Sequence, residues 1–178
     1  MERPLLFLDV DGTLIPYGAS WSSPVSARGP GEGARSRSTP ADNPLLARLD
    51  PTYGERLLAL GCELVWATGW MEEANDDISP RIGLPELPVV MWPDPDFDAV
   101  DGSRLHWKTR DLVAWADGRT FVWIDDEITD TDRAWVMENH SGHALLHRVE
   151  GHIGCTDSDF DVIKRWLSQT IFLNEPTA

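Results

Sequence analysis

The stretch LLFLDVDGTL, residues 5–14, is an apolar run that ends in two aspartates, Asp9 and Asp11, and then turns at Gly12. A short, near-continuous apolar segment closed by charge and glycine suits a strand buried on both faces. Side chains alternate along an extended chain, so Asp9 and Asp11 would share a side if the strand continued unbroken. With Gly12 opening a turn at the strand's end, both carboxylates can instead project into one pocket. Two such groups resist ionising together unless a cation intervenes or one keeps its proton. A divalent ion, a nucleophilic carboxylate and a proton-carrying carboxylate resolve that conflict, and together they suit phosphoryl transfer. Asp-Val-Asp-Gly would also serve as a solvated turn, so the weight falls on what lies downstream.

Downstream, strands and helices alternate. Residues 43–60 read as a helical stretch interrupted at Pro51 and stopped by Gly61. CELVWATG (62–69) reads as a buried strand ending in Thr68 and Gly69, and MEEANDDISPRIG (71–83) as a short acidic helix ended near Pro80. PVVMW (88–92) is a further strand candidate, followed by an acidic loop. KTRDLVAWADG (108–118) reads as a helix, RTFVWIDD (119–126) as a strand, TDTDRAWVMENH (129–140) as a helix with a Thr/Asp cap, and HALLHRV (143–149) as a strand. Thr156 with Asp159 resembles a capping box opening a last helix. This alternation predicts a mainly parallel sheet covered by helices on both faces, an α/β fold. Ligands of such folds bind beyond the carboxyl ends of the strands. Three predicted strand ends carry polar groups there: Asp9 and Asp11, then Thr68, then Asp125 and Asp126.

Composition narrows the class. One domain spanning residues 1–178 is the simplest expectation. The formal net charge of −15 repels nucleic acid and anionic lipid at long range. No run is long and apolar enough for a membrane span or a signal segment, so a cytoplasmic protein with no membrane partner is expected. Cys62 and Cys155 lie far apart with no ligand pattern around them, against a disulfide framework or a zinc site. Residues 18–43, dense in Gly, Ser, Pro and Arg, read as a flexible loop, either a solvated linker or a flap bringing Arg28, Arg35 and Arg37 to an anionic substrate. Of the nine tryptophans, Trp66, Trp115, Trp123 and Trp166 sit in apolar elements and suit core packing, whereas Trp21, Trp70 and Trp92 fall near loops and could line a pocket. The five histidines show no metal-binding spacing and read as structural or solvated.

Four motifs in order give the chain its resemblance to the haloacid dehalogenase-like superfamily. They are FLDVDGTL (7–14), LVWATG ending in Thr68 and Gly69, Lys108 opening a helix, and VWIDDEITD with Asp125, Asp126 and Asp130. The resemblance implies a Rossmann-like three-layer α/β/α sandwich and a Mg²⁺-dependent phosphohydrolase. Asp9 would be the nucleophile forming an aspartyl-phosphate, and Asp11 the acid and base, its carbonyl also facing the metal. Thr68, Gly69 and Lys108 would hold the phosphoryl oxygens. Asp126, with Asp125 or Asp130, would complete the Mg²⁺ site beside Asp9. Asp11 separates phosphate chemistry from the family's dehalogenases, which lack an acid there, and from its ion pumps, which carry Thr. The gaps after the first and second motifs are too short for a folded cap of ordinary size, so a capless member with an open site is expected. VEGHIGCTDSDFDVIKRWL (149–167) is similar to haloacid dehalogenase-like domains associated with RNA repair proteins. The substrate is a phosphorylated compound of unknown identity. A phosphotransferase with the same nucleophile, a non-catalytic phosphate-binding module, a nucleic-acid partner (against the net charge) and a homodimer are left open.

Overall fold

The first strand, β1 (Leu5–Leu8), is buried on both faces because it occupies the middle of the sheet. The computed structural model describes residues 2–18, 43–92 and 105–173. After β1 come a short 3₁₀ helix (Pro44–Arg48) capped by Asn43, α1 (Tyr53–Leu58), β2 (Glu63–Trp66), α2 (Glu73–Asp77) and α3 (Ser79–Ile82). Then follow α4 (Thr109–Ala116), β3 (Phe121–Asp125), α5 (Asp130–Asn139), β4 (Ala144–Arg148) and α6 (Asp157–Leu173). The sheet order is β2-β1-β3-β4, and every neighbouring pair is parallel.

Alternation along the strands divides the core into two layers. Leu6, Leu8, Leu64, Trp66, Val122 and Ile124 face one side, where Leu57, Ile78 and Ile82 of α1–α3 and Ile163 and Leu167 of α6 cover them. Leu5, Phe7, Val65, Phe121 and Trp123 face the other, against Leu112 and Ala116 of α4 and Val136 of α5. The fold is therefore the expected helix–sheet–helix sandwich. Among the described residues, the segments after β1 and after β2 hold only short helices, with no large cap.

Local chemistry moved some boundaries. Pro80 does not end the acidic helix: α2 stops at Asp77 and Pro80 sits in the first turn of α3, where its missing N–H costs no bond, and Gly83 closes α3 in the left-handed conformation. Residues 88–92 do not form a strand. They touch β2 through a single bridge, Trp66 to Val89, with Trp66 donating to the Pro88 carbonyl and Val90 to the Trp66 carbonyl. Pro85 and Pro88 cannot donate to a ladder. Half of the expected Thr156–Asp159 box forms: the N–H and hydroxyl of Thr156 both donate to the Asp159 carboxylate, while the Asp159 N–H goes to the Thr156 carbonyl rather than the hydroxyl. Of the proposed loop 18–43, residues 19–42 with their three arginines and Trp21 lie outside the described residues, as do 93–104 of the acidic loop.

One buried acid ties the two helices beside the sheet together. Asp132, fully buried in the first turn of α5, accepts from the His106 N–H (2.7 Å) and the Thr109 hydroxyl (2.6 Å) on Oδ1. Its Oδ2 accepts from the Thr129 N–H (2.8 Å) and hydroxyl (2.5 Å), forming the capping box of α5. A carboxylate that accepts from four donors cannot be replaced without orphaning them. Asp132→Ala is expected to cost at least about 3 kcal/mol in chemical denaturation, and Asp132→Asn, whose amide faces two donors with two more, should recover little of it.

Candidate active site

The register of the sheet decides where the acids meet. Leu8 lies opposite Ile124, and the Asp9 N–H donates to the Ile124 carbonyl (3.2 Å), so Asp9 and Asp125 leave adjacent parallel strands side by side. The order of the strands reverses at β1 and β3, the switch point at which folds of this kind place ligands. Beyond Asp9 the chain hooks tightly. The N–H groups of Thr13, Leu14 and Ile15 all donate to the Val10 carbonyl, and Gly12, at φ +72°, donates to Ile15.

Lys108, the residue before α4, reaches into this corner. Its Nζ, nearly buried, donates to Asp9 Oδ1 at 2.7 Å and to Asp125 Oδ2 at 2.8 Å. Asp9, Asp125 and Asp126 are all buried and can each offer a carboxylate oxygen within 4.8 Å of the others. Burial lifts Asp9 to about 7, opposed by Lys108 and reinforced by Asp125 and Asp11. Burial also lifts Asp126, to about 8, with Asp9, Asp125 and Glu127 adding to it. Asp125 shares that burial, yet it is held below the usual carboxylate range by Lys108, His106 and the Glu127 N–H. Burial works against the charge on Lys108, but Asp125 and Asp9 outweigh it and keep the ammonium protonated.

Two glycines make room for Asp126. A Cβ on Gly12 would lie 2.5 Å from the Asp126 carboxyl carbon, and one on Gly151 would lie 2.4 Å from its Oδ2. Gly12 thus does two things in the first motif, turning the chain and clearing the approach of the fourth. Gly151 follows β4 and accepts from the Tyr17 N–H. Burial and the same carboxylates hold the Tyr17 phenol far above its ordinary range.

The other side of the pocket is built by the loop after β2. The buried Thr68 accepts on its hydroxyl oxygen from the Trp70 N–H (3.3 Å), and Gly69 has open space where a side chain would stand. Indole N–H groups recur around the site. Trp70 donates to Asp11 Oδ2 (3.1 Å), Trp123 to Asp125 Oδ2 (3.2 Å) and Trp92 to the Thr68 carbonyl (3.0 Å). His106 stacks on Trp107, accepts from the Lys108 N–H on Nδ1 and turns Nε2 toward Glu127 at 3.3 Å.

Asp9, Asp125, Asp126 and Lys108 therefore converge, and a divalent ion could be held by the three carboxylates. Asp11 stands two residues from Asp9 with its carboxylate turned to Trp70. Asp130 does not converge. Its side chain is fully exposed in the first turn of α5 and pairs with Arg133 at 2.9 Å, a solvated helix-end acid favoured by the helix dipole. Asp132, the other acid of that turn, is structural. Asp132, His106, Gly151 and the indole donors carry no spacing signal of their own in the sequence. Of the indole donors, Trp70 and Trp92 were marked by their places near loops, whereas Trp123 read as core packing.

The chain matches the family model described as the HAD domain in Swiss Army Knife RNA repair proteins over residues 5–160, a span holding all four motifs. No curated protein and no solved structure matches it. A match over that much of the chain, on a parallel sheet whose strand ends carry the four motifs, makes the protein a member of this family of haloacid dehalogenase-like domains.

Proposed function

We propose that the protein is a Mg²⁺-dependent phosphomonoesterase working through an aspartyl-phosphate on Asp9. The observation that carries the reading is the ammonium of Lys108 set between Asp9 and Asp125 in a buried group of three carboxylates. Burial and mutual repulsion push Asp9 up to about 7 and Asp126 up to about 8 although Lys108 lies among the three acids, so both would give up protons to a cation bound there. A hard dication with oxygen ligands fits that donor set. Asp9 and Asp126 would hold it, with Asp125 or the Asp11 carbonyl, and when bound it supplies positive charge against the phosphoryl oxygens and keeps Asp9 ionised.

The chain's own groups then divide the work. An Asp9 oxygen attacks phosphorus and the Asp9–phosphorus bond forms as the ester bond breaks. The electron pair goes to the leaving oxygen, which takes the proton carried by Asp11. Because the Thr68 oxygen already accepts from Trp70, its own hydrogen is left to donate to a phosphoryl oxygen. Lys108 stabilises the charge that develops there. Asp11, now a carboxylate, next takes a proton from a water whose oxygen attacks phosphorus. The Asp9–phosphorus bond breaks, inorganic phosphate is released and Asp11 is protonated again. An alcohol replacing that water would make the protein a phosphotransferase.

The family's description makes a phosphorylated RNA terminus the first substrate class to test. The net charge of −15 works against a polyanion at long range, so such an end would be held locally. Arg148, exposed at the end of β4 with its Nε on the Asp126 carbonyl (2.9 Å), is a cation at the rim suited to that contact.

Asp9→Asn should lower kcat on any phosphate ester by more than about 10³-fold. Retained turnover would remove Asp9 as nucleophile, and a wild-type protein that binds phosphate without turning over any ester would be a binding module. Metal dependence is read independently of activity. In chelator, Asp9 and Asp126 titrate near 7 and 8 in the fold, against about 4 in the unfolded chain. Between those limits the native state binds more protons, so stability falls as pH rises. Tm in EDTA is expected to drop by several degrees from pH 5 to pH 8, and Mg²⁺ should restore it at pH 8. Asp126→Asn should melt above the wild type in EDTA at pH 8 and lose most of its response to Mg²⁺.

A further inference from the structure

We infer that Trp70 is a positioning residue that sets two members of the site at once, its indole N–H fixing the carboxylate of Asp11 for proton transfer and its backbone N–H fixing the hydroxyl of Thr68 for phosphoryl binding. The inference rests on the phosphatase reading. Both contacts come from one side chain and its own amide, at 3.1 Å and 3.3 Å. Only 4% of Trp70 is exposed, and it belongs to the same buried layer as Leu8, Val10 and Leu14 of the strand and hook that carry Asp11. The backbone around it is specialised as well. Met71 stands at φ +52°, a left-handed conformation that a methionine seldom adopts, and its N–H donates to the Thr68 carbonyl at 3.3 Å. That turn folds the loop after β2 back on itself and points the indole across to Asp11. A tryptophan needing a partner for a buried N–H would satisfy the same geometry without any catalytic role.

Leaving-group chemistry separates the two. An alkyl oxygen needs a proton as the ester bond breaks, whereas nitrophenolate leaves without one. Misplacing the donor therefore penalises only the first class in kcat/KM, which reports steps up to formation of the aspartyl-phosphate. Trp70→Phe keeps an aromatic ring, smaller than the indole, and deletes the N–H. It should lower kcat/KM for glycerol 2-phosphate by about 10²-fold and for p-nitrophenyl phosphate by less than about threefold. Equal losses on both esters would reduce Trp70 to a packing role and overturn the inference. Should the phenylalanine variant not fold, the wild-type protein and Asp11→Ala carry the test by ¹H–¹⁵N spectroscopy, in which the assigned Trp70 indole resonance must move upfield when its acceptor is removed. An unmoved resonance overturns the contact. If the wild type hydrolyses neither ester nor a phosphorylated RNA end, the phosphatase reading fails and takes the catalytic half of this inference with it, while the resonance still decides whether Trp70 holds Asp11.

Discussion

A buried ammonium shared by two carboxylates is the constraint around which the rest of this structure is arranged. Taking each of these ions out of water costs several kcal/mol even after relaxation. Lys108, Asp9 and Asp125 are therefore tolerable only together, and only if the strand register delivers the two acids to one spot. The register does so: β1 and β3 run parallel and in step, Asp9 following directly on β1 and Asp125 closing β3. Asp126 then enters the same corner with no cation of its own. Its carboxylate is admitted only because the chain has glycine at both points of contact, Gly12 and Gly151.

Lys108 comes from 99 residues beyond Asp9, and its placement depends on a second layer of polar contacts. Asp132 holds the His106 N–H and the Thr109 hydroxyl on either side of it, and His106 accepts from its amide. His106 in turn lies edge-on to Trp123, whose indole N–H meets the Asp125 oxygen that Lys108 also uses. The start of α4, the cap of α5 and the end of β3 are thus fixed to one another through side chains that never need to touch a substrate. Destabilising that frame displaces the ammonium, and the two carboxylates it separates are then left to repel.

Much of this was legible in the sequence because the strands are short, apolar and bounded by glycine or charge. The runs at 5–8, 63–66 and 121–125 have no competing helical period, and a polar residue closes or soon follows each (Asp9, Thr68 and Asp125), so both the elements and the acids at their ends could be read. Pro80 was misread because proline is punctuation in two senses, and only the capping context tells a stop from a first turn. Residues 88–92 have strand composition, but they meet β2 through a single bridge at Val89, and Pro88 at their start has no N–H to extend it. Asp130 and Asp132 look alike in sequence. A first-turn acid is favoured by the helix dipole whether it faces solvent or the interior, and only packing shows that Asp132 is the buried member. Gly151 lay in a segment noted for family resemblance, yet nothing local marks a glycine as clearance for a carboxylate arriving from another strand.

The tryptophans show why composition can mislead at such a site. Trp66 and Trp123 are as buried as core residues should be, and packing explains their bulk. It does not explain where their N–H groups go. An indole is a donor without charge, held rigidly by the large ring around it. Trp123 on Asp125 and Trp70 on Asp11 therefore orient a carboxylate without neutralising it. An arginine in either place would orient equally well, but it would add positive charge where the proposed function needs a carboxylate free for a cation, and it would depress the proton affinity proposed for Asp11. For the proposed function, a pocket that is to take up a cation and a phosphate ester is better framed by neutral donors than by further positive charge.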